Sequence, residues 1–305
     1  MSATDASART SPEEITARVL ASFDRAPDPR MRELMRSLVR HLHAFATETR
    51  LTQEEWEAGI RALTEAGRIS GERRQELILF SDALGLSMLV DALANPLPPG
   101  ATESTVLGPF YAPGSPLRGY GESIAARPAG MPCWVYGRVL DAVSGEPLAG
   151  AELDIWQNGE NRLYGVQDPE APESHLRGRF LTREDGSYAF LAVRPTPYPI
   201  PDDGPVGRML AASGRHPWRP AHIHMIVRAE GHQTLVTHIF DRHSEYLDSD
   251  AVFAVKRSLL RTFVPRAADD PERPPGVEGE WCSVECDLSL APGRAHDVID
   301  PGRTD

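Results

Sequence analysis

His222 and His224 alternate with Ile223, Met225 and Val227 in the stretch Arg219-Pro220-Ala221-His222-Ile223-His224-Met225-Ile226-Val227. That alternation, with its β-branched content, predicts a strand that projects both imidazoles from one face, where two rings at i and i+2 can hold one metal. An isolated pair of this kind also fits histidines that face solvent or make ordinary hydrogen bonds. Partners elsewhere in the chain decide between the two. Tyr164 lies in the polar loop Asn161-Arg162-Leu163-Tyr164-Gly165-Val166-Gln167-Asp168, and Tyr198 in Pro195-Thr196-Pro197-Tyr198-Pro199-Ile200-Pro201, whose prolines stiffen the backbone and fix where the ring points. Phenolates are hard anionic donors and imidazoles borderline ones, and a cation must offset the cost of ionising a phenol with a free pKa of about 10. Ferric iron suits such a set, whereas zinc takes Cys, His or carboxylate.

Composition narrows the partners. The 305 residues suit one large domain or two ordinary ones, and a 41% hydrophobic share is enough for real cores. A formal charge of −12 opposes binding to nucleic acid or to an anionic membrane surface, leaving a small molecule or a protein as partner. The first ten residues lack the apolar core of a secretory signal, and no later run approaches the length of a membrane span, so a cytoplasmic protein is expected. Cys133, Cys282 and Cys286 lack the paired spacing of a zinc site and are expected to be free thiols, the last two filling the core from a strand over residues 281–290.

The fold class expected is α+β, with an N-terminal helical dimerisation and linker module over residues 1–98 and a mixed-topology β-sandwich over 99–305. Ser11-Pro12-Glu13-Glu14 and Thr52-Gln53-Glu54-Glu55 are capping boxes ahead of apolar residues at helical spacing, and Met31, Leu34, Met35, Leu38, Leu42 and Phe45 form a stripe between them. A fourth helix is expected from about residue 72 to 93, apolar nearly all round from Leu77 to Val90 and therefore buried against the next domain or a second subunit. Asp82 falls within it, where a carboxylate is costly to bury; local hydrogen bonding and a role in a substrate pocket are both open. Pro96-Leu97-Pro98-Pro99-Gly100 breaks the pattern. Beyond it, strands are expected over residues 133–140, 151–156, 187–193, 221–229, 234–240 and 281–290, an amphipathic helix over 250–263, and a loosely ordered tail from Ala291.

Taken in order, Thr105-Val106-Leu107-Gly108-Pro109-Phe110-Tyr111, Leu163-Tyr164-Gly165-Val166-Gln167-Asp168, Tyr198-Pro199-Ile200-Pro201-Asp202-Asp203-Gly204-Pro205-Val206-Gly207, Arg219-Pro220-Ala221-His222-Ile223-His224 and Val236-Thr237-His238-Ile239-Phe240-Asp241 give a chain that resembles the intradiol ring-cleavage dioxygenases from its helical module to the end of the sandwich. The resemblance implies Tyr164, Tyr198, His222 and His224 as ligands of a non-haem Fe(III). It places Arg219 beside the substrate ring as a stabilising cation, makes Tyr198 able to accept a substrate proton, and maps a pocket onto Leu79, Asp82, Val106, Gly108, Pro109, Phe110, Ile200 and Val252. It implies a small aromatic diol or triol and dioxygen as reactants, a homodimer, and a phospholipid in an apolar channel between subunits. Catechol-cleaving members usually carry Gln where this chain has His238, which favours the hydroxyquinol-cleaving branch over catechol or chlorocatechols. Asp82 would then accept a hydrogen bond from the third hydroxyl of the triol.

Overall fold

The computed structural model describes residues 9–71 and 74–294, and the chain divides into two compact units, Met1–Thr64 and Glu65–Asp305. Ser11 opens α1 (Pro12–Ser22) with both halves of the expected capping box, and α2 (Pro29–Thr49) follows. Thr52 opens α3 (Gln53–Ile69) in the same way, its backbone N–H donating to Glu55 at 2.9 Å while its hydroxyl accepts from the Glu55 N–H at 3.2 Å. The stripe on α2 is present, yet Val39 is the only buried residue of that helix.

The expected fourth helix is two, α4 (Glu76–Ala83) and α5 (Leu86–Ala94), bent by 78°. Gly85 takes the left-handed backbone at φ 74°, which ends one helix and lets the next leave in a new direction. Residue 72, where the helix was expected to begin, lies outside the described residues. α4 buries Leu79, Asp82 and Ala83 as expected, but α5 leaves Leu86, Leu89, Val90 and Leu93 exposed in this chain. Among the described residues no single helix is long and apolar enough to cross a membrane; α4 and α5 qualify only as a bent pair.

The sandwich uses β1 (Pro132–Asp141), β2 (Glu152–Trp156), β3 (Arg177–Leu181), β4 (Ser187–Val193), β5 (Tyr198–Pro199), helix α6 (Pro205–Ala212), β6 (Trp218–Arg219), β7 (His222–Arg228), β8 (Leu235–Asp241), β9 (Leu260–Arg261), β10 (Val264–Arg266), β11 (Trp281–Glu285) and β12 (Leu288–Leu290). One sheet runs β10-β11-β1-β12 with β4 on β1; the other runs β3-β2-β7-β8-β9. β1 is parallel to β11 and β12 and antiparallel to β4, so the topology is mixed as expected. The single strand expected over 281–290 is divided at Cys286 and Asp287, and all three cysteines are free and buried. Their neighbours are core residues from both sheets, including Val135, Phe190, Ile223, Met225 and Val227. The helix expected over 250–263 does not form. The Asp250 carboxylate accepts from the backbone N–H of Val252 and Ala254, Phe253 is left-handed at φ 59°, and only a 3-10 turn at Arg257–Leu259 follows. The tail expected to be loose lies mostly outside the described residues.

Candidate metal centre

His222 and His224 leave the same face of β7, opposite the face that Ile223, Met225 and Val227 bury between the sheets. Strand register supplies the surroundings. His224 lies opposite Trp156 of β2 and His238 of β8, and Trp156 stacks flat on it at 4.6 Å. The β5–β6 ladder sets Tyr198 opposite Arg219, and a bridge between Asn158 and Tyr164 anchors the other tyrosine loop. Asp168 braces that loop, its carboxylate accepting from Asn161 at 3.0 Å, from the Glu170 N–H at 3.0 Å and from Arg127.

The four side chains meet. Tyr164 Oη is 3.1 Å from His224 Nε2 and 3.4 Å from His222 Nε2, and the two Nε2 atoms are 3.1 Å apart. The Tyr198 ring stands edge-on to Tyr164 at 5.2 Å, and Arg219 Nη1 donates to Tyr198 Oη and to His222 Nε2 at 3.3 Å each. None of the four expected ligands is more than 2% exposed.

Burial holds both imidazoles neutral, with Arg219 adding to the effect at His222, and His222 and then Arg219 adding to it at His224. His222 Nδ1 donates to the Pro220 carbonyl at 2.7 Å, so its Nε2 carries the lone pair toward the cluster. Burial, and then Tyr198, push the Tyr164 phenol well above its usual range, so that an adjacent cation is what would ionise it. Two imidazole nitrogens and a phenol oxygen spaced in this way fit neighbouring ligands of one cation with bonds of about 2.0–2.2 Å. His238 forms with His222 and His224 a group whose ligand atoms lie within 4.8 Å of one another. Its Nδ1 is engaged by Thr105 Oγ1 and its Nε2 has no protein partner, whereas Tyr164 Oη meets both other Nε2 atoms directly.

Residues 28–102 match the family described as "Catechol dioxygenase N terminus" and residues 106–281 the one described as "Dioxygenase". The hydroxyquinol 1,2-dioxygenase of Nocardioides simplex is 49% identical over 286 residues, covering 92% of this chain and 95% of that protein. This chain belongs to the intradiol ring-cleavage dioxygenases. Among other members of the family, the catechol 1,2-dioxygenase of Candida albicans is 41% identical, covering 90% of this chain and 91% of its own. The crystal structure of hydroxyquinol 1,2-dioxygenase from Pseudomonas putida DLL-E4 superimposes with a TM-score of 0.86 at 46% identity, covering 92% of this chain and 99% of that one.

As an intradiol dioxygenase the molecule needs a space for its ring substrate beside the cluster. A cavity of about 440 Å³ is lined by Leu79, Pro109, Phe110 and Ile200 of the expected pocket, and Phe110 stacks on Tyr164 at 4.7 Å. A larger one, about 720 Å³, lies around Arg194, Trp218, Asp241 and Tyr246; the four expected ligands line neither cavity, and none of the expected pocket residues lines the larger one. Val106 and Val252 pack in the same apolar cluster as Tyr164 and Tyr198 without lining the smaller cavity. Gly108 is left-handed at φ 80°, and a Cβ there would sit 3.2 Å from His224 Cε1, so the missing side chain lets the backbone lie against the ring. Asp82 is buried; desolvation raises its pKa, opposed by a hydrogen bond from Ser87 and by the charge of Arg219. His238 is likewise held neutral by burial, and then by the charges of its neighbours.

Three residues at the site carry roles that the sequence did not disclose. Trp156 backs His224 only because β2 pairs with β7. Thr105 reaches His238 across 133 residues of chain. Asp250 had a local signal, an acidic residue ahead of an apolar run, and it does cap backbone N–H groups, although those of a loop.

Proposed function

We propose that this enzyme cleaves hydroxyquinol, benzene-1,2,4-triol, between its adjacent hydroxyl-bearing carbons with dioxygen, giving 3-hydroxy-cis,cis-muconate and its tautomer maleylacetate. The observation that carries the reading is the buried meeting of Tyr164 Oη with the Nε2 atoms of His222 and His224, with Tyr198 and Arg219 against them. Relatives named for hydroxyquinol at 46–49% identity support the choice of substrate. Catechol or a chlorocatechol is the second reading, favoured by the apolar lining from Leu79, Pro109, Phe110 and Ile200.

Tyr164, Tyr198, His222 and His224 would hold Fe(III), to which phenolate oxygen is well matched. Bound iron supplies a template for the two diol oxygens and an electron acceptor that lets the ring react with dioxygen. The protein's own groups do the rest. Tyr198 Oη takes a proton from a substrate hydroxyl. Arg219, kept charged by Asp250 against the pull of burial, stabilises negative charge on the substrate as it grows. Asp82 accepts a hydrogen bond from the third hydroxyl, with His238 shaping the same side. Leu79, Val106, Gly108, Pro109, Phe110, Ile200 and Val252 enclose the ring and exclude water.

Residues 1–98 would serve as the dimerisation and linker module, with α4 contributing Leu79 and Asp82 to the pocket, and residues 99–305 as the catalytic domain. Apolar rows left open on α2 and α3 support a homodimer, with a phospholipid chain between subunits as part of the same proposal. The enzyme is proposed to work in the cytoplasm. The test is turnover of hydroxyquinol and catechol side by side, together with iron content. A red to purple protein that cleaves hydroxyquinol faster is expected; a colourless protein fully active without iron would sink the ligand assignment.

A further inference from the structure

Asp250 uses its whole carboxylate. Oδ1 accepts from Arg219 Nε at 3.1 Å and from the Val252 N–H at 3.4 Å; Oδ2 accepts from the Ala254 N–H at 2.9 Å and from Arg219 Nη2 at 3.5 Å. Both side chains are 2% exposed. A planar guanidinium gripped along its Nε–Nη2 edge cannot swing, so the carboxylate decides where the remaining nitrogen points. That nitrogen is Nη1, the one facing Tyr198 Oη and His222 Nε2.

We propose that Asp250 is a positioning residue for ring cleavage: it aims Arg219 Nη1 at the place between Tyr198 and His222 where a substrate oxygen becomes negative. The inference rests on the intradiol reading above and extends it to a residue outside the ligand set and the pocket lining. A cation that must meet charge as it develops is effective only if it is already in place, since reorganising during the reaction would cost much of the benefit. Arg219 is otherwise a long side chain with ample rotamer freedom. The same carboxylate holds the backbone beside Val252, so the aim of the cation and one side of the pocket share an anchor.

The loop has other supports, which makes the role of Asp250 separable from that of a brace. Arg215 donates from Nη1 to the Ala83 carbonyl at 2.6 Å and from Nη2 to the Ala251 carbonyl at 2.9 Å, and lies over the Phe253 ring at 4.7 Å. The Ala251 N–H reaches the Trp218 carbonyl at 3.1 Å. An Asp250→Asn chain therefore keeps its loop while losing the charge-assisted grip on the fork.

The test uses the full chain loaded with iron in four forms: wild type, Asp250→Asn, Arg219→Met and the double variant. For Asp250→Asn, kcat on hydroxyquinol should fall by on the order of tenfold or more, with KM changed by less than about threefold. Iron content, melting temperature and the Kd for hydroxyquinol, read anaerobically from the visible band, should stay near wild type. Within the Arg219→Met background, adding Asp250→Asn should cost less than about twofold further, because the residue acts through the arginine. Losses that multiply in the double variant, or a loss confined to KM and melting temperature, would overturn the proposal. Arg219→Lys decides the matter if Asp250→Asn fails to fold: it keeps a cation that cannot be gripped as a fork, so a near wild-type kcat overturns the inference and a loss of about tenfold or more supports it.

Discussion

The helices of the first unit and the face of β7 in the second invert the usual distribution of polarity in opposite ways. On α2, Leu38 and Leu42 are 49% and 55% exposed; around β7, Arg219, His222, His224 and His238 are all buried. Each arrangement is costly for a lone chain in water, since apolar surface stays wet in one and polar groups lose water in the other. The difference teaches what each region is shaped to meet. The helices present apolar rows suited to a matching apolar surface, whereas the strand face turns imidazole and phenol groups toward one another.

Removing a ligand breaks the second half of that comparison most severely. Tyr164→Phe or His222→Ala should lose bound iron and the visible band together with activity, falling to the assay background; metal analysis and absorbance check this directly. Asp82→Ala sharpens it by asking what a buried carboxylate recognises. The loss of kcat/KM should be on the order of tenfold for hydroxyquinol, the worth of one charge-assisted hydrogen bond, and much smaller for catechol. Equal losses on both substrates with iron unchanged would make the carboxylate structural.

The brace on the Tyr164 loop gives a pH dependence. The Glu170 backbone N–H, then Arg127 and Asn161, hold the Asp168 carboxyl below its ordinary value despite some burial. A folded pKa below the unfolded one contributes stability above the unfolded value of about 4 and loses it as pH falls through the folded value. Melting temperature should therefore drop on acidification below about pH 4, less steeply in Asp168→Asn, which starts lower at neutral pH. An unchanged slope would show that the brace carries no linkage.

The first half of the comparison predicts the smallest effect on chemistry. Leu38→Glu with Leu42→Glu should halve the sedimenting mass while kcat/KM moves by less than about twofold. A wild-type chain already monomeric at assay concentration would refute the helical module as a dimer interface.

What the sequence disclosed follows from how local each signal is. The capping boxes of α1 and α3, the alternation in β7 and the proline-stiffened loop of Tyr198 are set within a few residues, and all appear as expected. Gly85 was hidden in an apolar run, where its left-handed turn had no polar neighbour to announce it. β3 was missed because Arg177-Gly178-Arg179 carries no strand alternation; its place comes from pairing with β2. Helix α6 was missed too, although Glu76 fixes its start by accepting from the Val206 N–H at 3.1 Å across 130 residues. At the site, the residue types that come together were legible, but the register that sets Tyr198 against Arg219 and His238 against His224 belongs to the folded chain.

The parallel pairing of β1 with β11 and β12 has a consequence for how the chain is made. Synthesis delivers every expected iron ligand before Trp281, yet the back of β7 shares its core cluster with Cys282, Val284, Cys286, Leu288 and Leu290, all of which arrive later. A nascent chain that has released His224 therefore holds His222 and His224 on a strand with one naked side, and β1 with an open edge suited to pairing with other chains. Closure must wait for distant partners, which favours slow folding. Chains cut between Arg266 and Trp281 should thus collect as aggregates, even though none of the expected ligands is removed from them.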